Sequence, residues 1–395
     1  MSTAARAKKT ARVIGRTVIA LVAVTTLAFS GYFWTALRLV KQNTNTTQIL
    51  QVLDDIPNSP PVEDGAIDIL LVGSDSRTDA QGRPLPADVL RKLRTEGTDT
   101  VNTDTIIVMR VPRNGGKASA ISIPRDTYVP IAGYREDKIN SAYGAVKFLT
   151  AERLQAEGVS DQQERERRSD EAGRKALVQA VQDLTGMRVD HYAEINLYGF
   201  YLLTEVIGGV QVCLKAGTSD PNSGANFPAG PQTISGGDAL SFVRQRNMPG
   251  GDLGRIARQQ VFMSQAMKQL LSAGTFTDPG KMSGLLDAVS KSVVVDQNLD
   301  LATLATQAQG LASGNVEFAT IPVTSIDGRN ERGQSIVTVD REAVKAWVAQ
   351  LIGETPKPVP SSTTPSTPAR FGPEKLLSLD GAHAVAARQD VPCVD

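Results

Sequence analysis

The chain is poor in the side chains on which most nucleophilic and metal-dependent enzymes are built. Its 395 residues hold two histidines, His191 and His383, and two cysteines, Cys213 and Cys393. A Ser-His-Asp relay or a histidine metal cluster therefore lacks its parts. His191 reads as a structural residue, and His383 falls in the terminal tail. Gly116-Lys117 is followed by Ala118 and lacks the earlier glycine of a Walker phosphate loop, so none is present. Acids are missing from residues 1–53, which carry seven basic groups and leave 35 basic against 42 acidic ones in the rest, a balance of −7. A mildly acidic body excludes nucleic acid as a partner held by broad positive potential.

Charge is also absent from Thr17 to Leu37. At about 1.5 Å per residue this run spans roughly 31 Å, close to the ~30 Å hydrocarbon core of a bilayer. Residues 17–37 are expected to be a transmembrane helix. The basic residues of 1–16 place that tail in the cytoplasm and the remainder outside, with Tyr32, Phe33 and Trp34 at the outer interface. A cleaved signal peptide is the competing reading, but no clear small-x-small site follows the run. In an oxidising exterior Cys213 and Cys393 either form one disulfide that pins the tail to the body or stay separate, and the sequence leaves both open.

Residues 38–65, rich in proline near their end, read as an extracytoplasmic stalk, and a body follows over 66–354. Ala66 to Val72 is a short apolar run closed by Gly73, the pattern of a buried strand. Residues 76–100 read as a long surface loop. Thr105 to Val111 and Ala118 to Ile123 flank Asn114-Gly115 and predict an antiparallel pair. A helical pattern runs from Ala142 to Leu184, its charged middle (Asp161 to Lys175) read as a solvated face and loop. Ala193 to Ile207 predicts an apolar helix, Val210 to Leu214 a strand, and Val261 to Leu271 an amphipathic helix. Residues 355–370, rich in Pro, Ser and Thr, form a linker to a small tail, 371–395. The order implies an α/β sandwich in which helices flank a central mixed sheet.

The densest chemistry lies between Phe242 and Gln260, which hold Arg244, Arg246, Arg255 and Arg258. Arg244 and Arg246, two apart, share one side of an extended segment, and Arg255, Arg258 and Gln259 share one face at the start of a helix. Strand, Gly-rich turn and helix start then direct several guanidinium forks at one anion, and phosphate fits that geometry. Asp75 and Asp104 fall at predicted strand ends that meet if the strands are neighbours. Two converging carboxylates suit Mg²⁺, and turn or cap roles are the alternative. Arg125-Asp126 is a further charged pair at a strand end.

With these residues in view, the chain resembles the LytR-CpsA-Psr family of membrane-anchored cell-wall phosphotransferases over roughly residues 66–270. The resemblance rests on Leu-Leu-Val-Gly-Ser-Asp-Ser-Arg77, Asn-Thr-Asp-Thr-Ile106, Ser-Ile-Pro-Arg-Asp-Thr-Tyr128, Lys-Ile-Asn-Ser-Ala-Tyr143, Leu-Thr-Gly-Met-Arg-Val-Asp-His-Tyr192 and the arginine-rich segment. It implies an apolar pocket for a polyprenyl chain whose pyrophosphate sits at the mouth. Asp75 and Asp104 would be the Mg²⁺ ligands. Arg125, Arg244, Arg246, Arg255 and Gln259 would contact pyrophosphate, with Arg77 and Arg258 as further members. The family often has arginine where this chain has Asn102, and Arg77 is the candidate to replace it. The implied reaction transfers a glycan from a polyprenyl pyrophosphate carrier to peptidoglycan through a phosphodiester. In the actinobacterial members that this sequence resembles, the donor is decaprenyl-pyrophosphate-linked arabinogalactan and the acceptor a muramic acid hydroxyl. A non-catalytic lipid-binding or regulatory protein and a lipid pyrophosphatase are the competing expectations.

Overall fold

The structure is a computed structural model that describes residues 45–47, 65–79, 83–96, 101–114, 116–245, 251–270, 278–299, 316–353 and 391–394. The expected membrane span, the linker and most of the tail lie outside these. Among the described residues no helix is long and apolar enough to cross a membrane.

In chain order the elements begin with β1 (Asn45–Thr47), β2 (Ala66–Ser74), α1 (Ala87–Lys92), β3 (Thr103–Pro112), β4 (Ala118–Ser122), β5 (Tyr128–Pro130) and β6 (Glu136–Lys138). Helices α2 (Ala142–Ala156) and α3 (Gln162–Thr185), β7 (His191–Ile195), α4 (Leu197–Val206) and the strands β8 (Val210–Leu214), β9 (Thr218–Asp220), β10 (Ala225–Phe227) and β11 (Gly230–Ile234) follow. The remainder is α5 (Gly236–Arg244), α6 (Gly251–Leu270), α7 (Pro279–Ser292), β12 (Val293–Asp296), β13 (Val316–Thr320), β14 (Ser325–Arg329), β15 (Ser335–Thr338), α8 (Arg341–Leu351) and β16 (Cys393–Val394).

Seven strands form the central sheet in the order β1-β12-β7-β2-β3-β4-β13. β3 and β4 pair antiparallel as the Asn-Gly turn predicts, β2 pairs antiparallel with β3, and β7 joins β2 in parallel, so the sheet is mixed. Alternation along β2 and β3 divides the apolar residues between two faces. Leu70, Val72, Ile106 and Val108 face a core shared with Ala176, Val181 and Val344 of α3 and α8. Ile67, Ile69, Met109 and Val111 face the other way, where Met267 of α6 packs. The first face is closed by close helix contact: Gly173 of α3 lies so near Tyr143 of α2 that an added Cβ would collide with the ring.

Caps set the helix limits. The Asp161 carboxylate accepts the Gln163 and Glu164 N–H groups to start α3, and Gly186 ends it at φ 73°. Several expectations are corrected here. The loop expected over 76–100 contains α1, flanked by buried Leu85 and Leu93. Ala193 to Ile195 belongs to β7, and the helix begins only after Asn196, whose side chain caps it through the Gly199 N–H at 2.8 Å. Within the expected solvated charged stretch, Ser169 and Arg174 are buried. Thr47, in the expected stalk, pairs with Asp296 at the sheet edge. Cys213 and Cys393 form a disulfide, which holds β16 beside β8.

Candidate functional site

Asp75 and Asp104 meet because β2 and β3 are neighbours with a register shift just after Gly73. Asp75 N–H donates to the Asn102 carbonyl at 2.9 Å, and Asn102 N–H donates back to Asp75 Oδ1 at 2.6 Å. Asn102 thus holds the carboxylate with its backbone, which any residue type supplies. The guanidinium beside Asp75 comes from Arg77, whose Nη1 lies 3.1 Å from Asp75 Oδ2 and 2.5 Å from the Asp75 carbonyl oxygen. Arg125 Nη1 donates to Asp104 Oδ1 at 2.7 Å, and its Nε stands 3.7 Å from Asp126, which also pairs with Lys138 at 3.1 Å.

The arginine-rich segment is built differently from its spacing. Arg244 is the last residue of helix α5 rather than part of a strand, and Gln245 after it is extended, at φ −57° and ψ 134°. Phe242, Ala239 and Leu240 are buried on that helix, and this apolar spacing outweighs the period-two arginine pattern. Arg246 lies outside the described residues. The second half agrees with expectation: Arg255, Arg258 and Gln259 lie on α6. Their roles diverge. Arg258, 1% exposed, donates to the Phe242 carbonyl at 3.2 Å and lies over the Phe242 ring at 5.5 Å, so it ties α6 to the end of α5. It is not among the cavity-lining residues. Gln259 Nε2 donates to the Val243 carbonyl at 3.1 Å.

A cavity of about 700 Å³ opens on the second face of the sheet, within the 300–1,000 Å³ range typical of small-molecule sites. Its polar lining includes Asp75, Arg77, Asp104, Arg244, Arg255 and Gln259. Its apolar lining includes Ile107, Ile195, Phe200, Leu240, Phe262 and Met263. Arg125 lines a small pocket that shares Asp104, Arg255 and Gln259 with it. Gly73 keeps the strand end open, since a Cβ there would sit 3.1 Å from Thr105 Cβ. Phe200 stacks on Phe262 at 5.3 Å, and Phe262 packs against Phe242 at 6.1 Å, so two rings face the cavity and a third backs them. Such a lining fits a ligand with an anionic head and an apolar body.

Oxygen donors for a hard cation are present in the same lining. Besides the two carboxylates, Ser74 Oγ is buried there without a hydrogen-bond partner among the described residues. Sequence reasoning passed over Ser74. It also passed over Asp220, Asn222 and Ser223, which line the cavity from the β9–β10 turn. Nothing local distinguishes them from any polar turn.

The first face holds a second, unexpected charged group. Arg174 Nε donates to Glu194 at 2.8 Å, Tyr192 donates to the same oxygen at 3.0 Å, and Tyr143 donates to Asp170 at 2.6 Å. Burial pushes both tyrosines above their ordinary pKa. Burial pulls Lys147 down, but attraction and hydrogen bonds from Asp170 and Glu166 outweigh it and leave the ammonium pKa raised. His191 Nδ1 contacts Asp296 at 3.1 Å, the structural role expected of it.

The chain is a mixed α/β protein with arginines and carboxylates at one strand end beside an apolar-lined cavity. The LytR_cpsA_psr family model matches residues 36–352, and the chain belongs to that family. It is 51% identical over 325 residues to the cell wall biosynthesis protein LcpA of Corynebacterium glutamicum, covering 82% of this chain and 62% of that protein. It is 31% identical over 273 residues to the polyisoprenyl-teichoic acid–peptidoglycan teichoic acid transferase TagU of Oceanobacillus iheyensis, covering 68% and 69%. The chain thus spans about six-tenths of the length of LcpA. In fold it is similar to the LytR-Csp2A-Psr enzyme from Actinomyces oris, at a TM-score of 0.52 and 16% identity over 79% of this chain and 97% of that one.

Proposed function

We propose that the chain is a transferase that moves a glycan polymer from a polyprenyl pyrophosphate carrier to peptidoglycan, forming a phosphodiester. The observation that carries this reading is the cavity itself, because arginines, carboxylates and an aromatic wall line one continuous space. A long isoprenoid needs the apolar part, and a pyrophosphate needs the charged part. TagU, named as such a transferase, and LcpA, named for cell wall biosynthesis, support the same class of reaction.

The acceptor hydroxyl oxygen attacks the glycan-side phosphorus, the bond from that phosphorus to the bridging oxygen breaks, and polyprenyl phosphate leaves. The hydroxyl proton passes to a carboxylate of the Asp75 and Asp104 pair. Arg77, Arg244 and Arg255, with Arg125 beside them, hold the pyrophosphate and balance charge on its nonbridging oxygens, while Gln259 fixes its orientation. Phosphoryl transfer asks chiefly for such positioning and electrostatics. Arg246 is kept as a further contact by its place in the motif, and Arg258 as a positioning residue for α5 and α6.

Asp75 and Asp104, with Ser74 Oγ, would hold Mg²⁺, since that ion takes one or two carboxylates and fills its shell with waters and phosphate oxygens. Bound there, it would supply charge neutralisation and polarise the phosphoryl oxygens. Decaprenyl-linked arabinogalactan as donor and a muramic acid hydroxyl as acceptor remain the finer reading, with a pyrophosphatase side activity when water replaces the sugar. A single span at 17–37 would keep the protein in the cell membrane near a lipid-borne donor. The test is to incubate full-length protein with a polyprenyl-pyrophosphate glycan and peptidoglycan fragments, with and without chelator. Phosphodiester-linked product that disappears with chelator supports the proposal, and absence of product under both conditions refutes it.

A further inference from the structure

The β9–β10 turn lines the charged cavity with Asp220, Asn222 and Ser223. Within the turn the Asp220 carboxylate accepts the Asn222 N–H at 3.1 Å and the Ser223 hydroxyl at 3.0 Å. Arg94 clamps the turn from outside, donating to the Gly224 carbonyl at 2.8 Å and the Ser241 hydroxyl at 3.0 Å and pairing with Asp238 at 2.6 Å. Arg94 holds φ 51° to do so, a left-handed conformation that a non-glycine residue keeps only where its surroundings enforce it. Gly224, at φ 71°, leaves no room for a side chain without crowding Arg94 Cδ at 3.0 Å. These contacts tie the turn to Arg94 and, through it, to α5.

On this turn Asn222 is exposed, lines the cavity, and makes no side-chain hydrogen bond with a described residue. Asparagine in a turn ordinarily bonds its own backbone. Here Asp220 performs that task, which leaves the Asn222 carboxamide available, with an acceptor and two donors on one plane. A neutral, planar, two-way group suits adjacent sugar hydroxyls and adds nothing to the attraction for phosphate. The other two carboxamides of the lining are already engaged, Asn196 with the Thr78 carbonyl and the Gly199 N–H and Gln259 with the Val243 carbonyl. We infer that Asn222 forms a sugar subsite next to the charged lining, where its carboxamide takes vicinal hydroxyls of a glycan unit of the donor or the acceptor. This rests on the proposed function and adds to it the place where sugar is read.

The experiment measures binding of two probes to the full-length protein, polyprenyl pyrophosphate and the same lipid carrying a single hexose, for wild type and Asn222→Ala. Loss of the paired hydrogen bonds is expected to weaken the hexose-bearing lipid about five- to tenfold and to leave the unsugared lipid within about twofold. A parallel rise in KM for a soluble peptidoglycan fragment, with hexose-lipid binding unchanged, supports the subsite and assigns it to the acceptor. Equal weakening of both lipids, or no change in either lipid and in the acceptor KM, overturns the inference. Wild-type protein that binds neither lipid sinks the proposed function together with the subsite, whereas binding of both with Asn222→Ala indistinguishable in lipid affinity and in acceptor KM sinks the subsite alone.

Discussion

The two faces of the central sheet both carry arginine beside carboxylate, and they differ in what surrounds the charge. On the first face Arg174, Glu194, Tyr192, Tyr143, Asp170 and Lys147 satisfy one another, and the space left among them is about 30 Å³. On the second face the Asp75–Arg77 pair and Asp104 line a cavity of about 700 Å³, with Arg125 in the adjoining pocket. The same residue types therefore do two jobs. Enclosed by α2 and α3, they hold the fold; at an open strand end they are placed for an anion.

This contrast is sharpened most by Arg174→Met, which strands buried Glu194 without its partner. Stability is expected to fall by about 3–5 kcal/mol in denaturant unfolding, while turnover per folded molecule is kept. Lost turnover at unchanged stability would break the contrast. Arg244→Ala should behave in the opposite way, lowering turnover about 100- to 1,000-fold with the unfolding midpoint nearly unmoved. A variant that unfolds more easily but turns over normally would return Arg244 to a structural role.

Cys393→Ser follows in size. The disulfide spans a sequence separation of 180 and holds β16, whose Val394 packs with Phe242 and Phe262 behind the cavity wall. Its loss is expected to cost about 2–4 kcal/mol in thermal unfolding, and an unchanged transition would show that the tail contributes nothing to that wall.

The smallest effect is in alkali. The folded-state pKa values of Tyr143, Tyr192 and Lys147 are raised, so the unfolded chain releases these protons first as pH climbs. Their contribution is intact below the unfolded values of about 10 and is lost above them. The urea midpoint should fall from about pH 10 upward, and less steeply in Tyr192→Phe. A midpoint that rises there has the wrong sign for a closed first face.

The elements that the sequence made legible are those that carry their own signal. Ala66 to Val72 is apolar except for Asp68, which pairs with Arg110, because both its faces are buried, and Asn114-Gly115 marks the turn between two strands that do pair. Asp75 and Asp104 were legible as strand ends, and β2–β3 pairing brings them into one lining. Arg244 was misread because the period-two spacing of two arginines looks like a strand, while burial of Ala239, Leu240 and Phe242 decides for helix. Arg258 looked like a ligand contact by helical spacing, yet its guanidinium turns to the end of α5 while Arg255 and Gln259 line the cavity. The Arg174 network and the Asn222 turn were invisible, since each depends on partners far apart in the chain.

The central claim is that one cavity divides its ligand between charge and an aromatic wall. It is tested most directly by the affinity of the full-length protein for pyrophosphate carrying isoprenoid chains of increasing length. Binding should strengthen with each added isoprene unit until the apolar lining is covered, and Arg244→Ala should weaken every member of the series by a similar factor. Affinity independent of chain length would contradict the account.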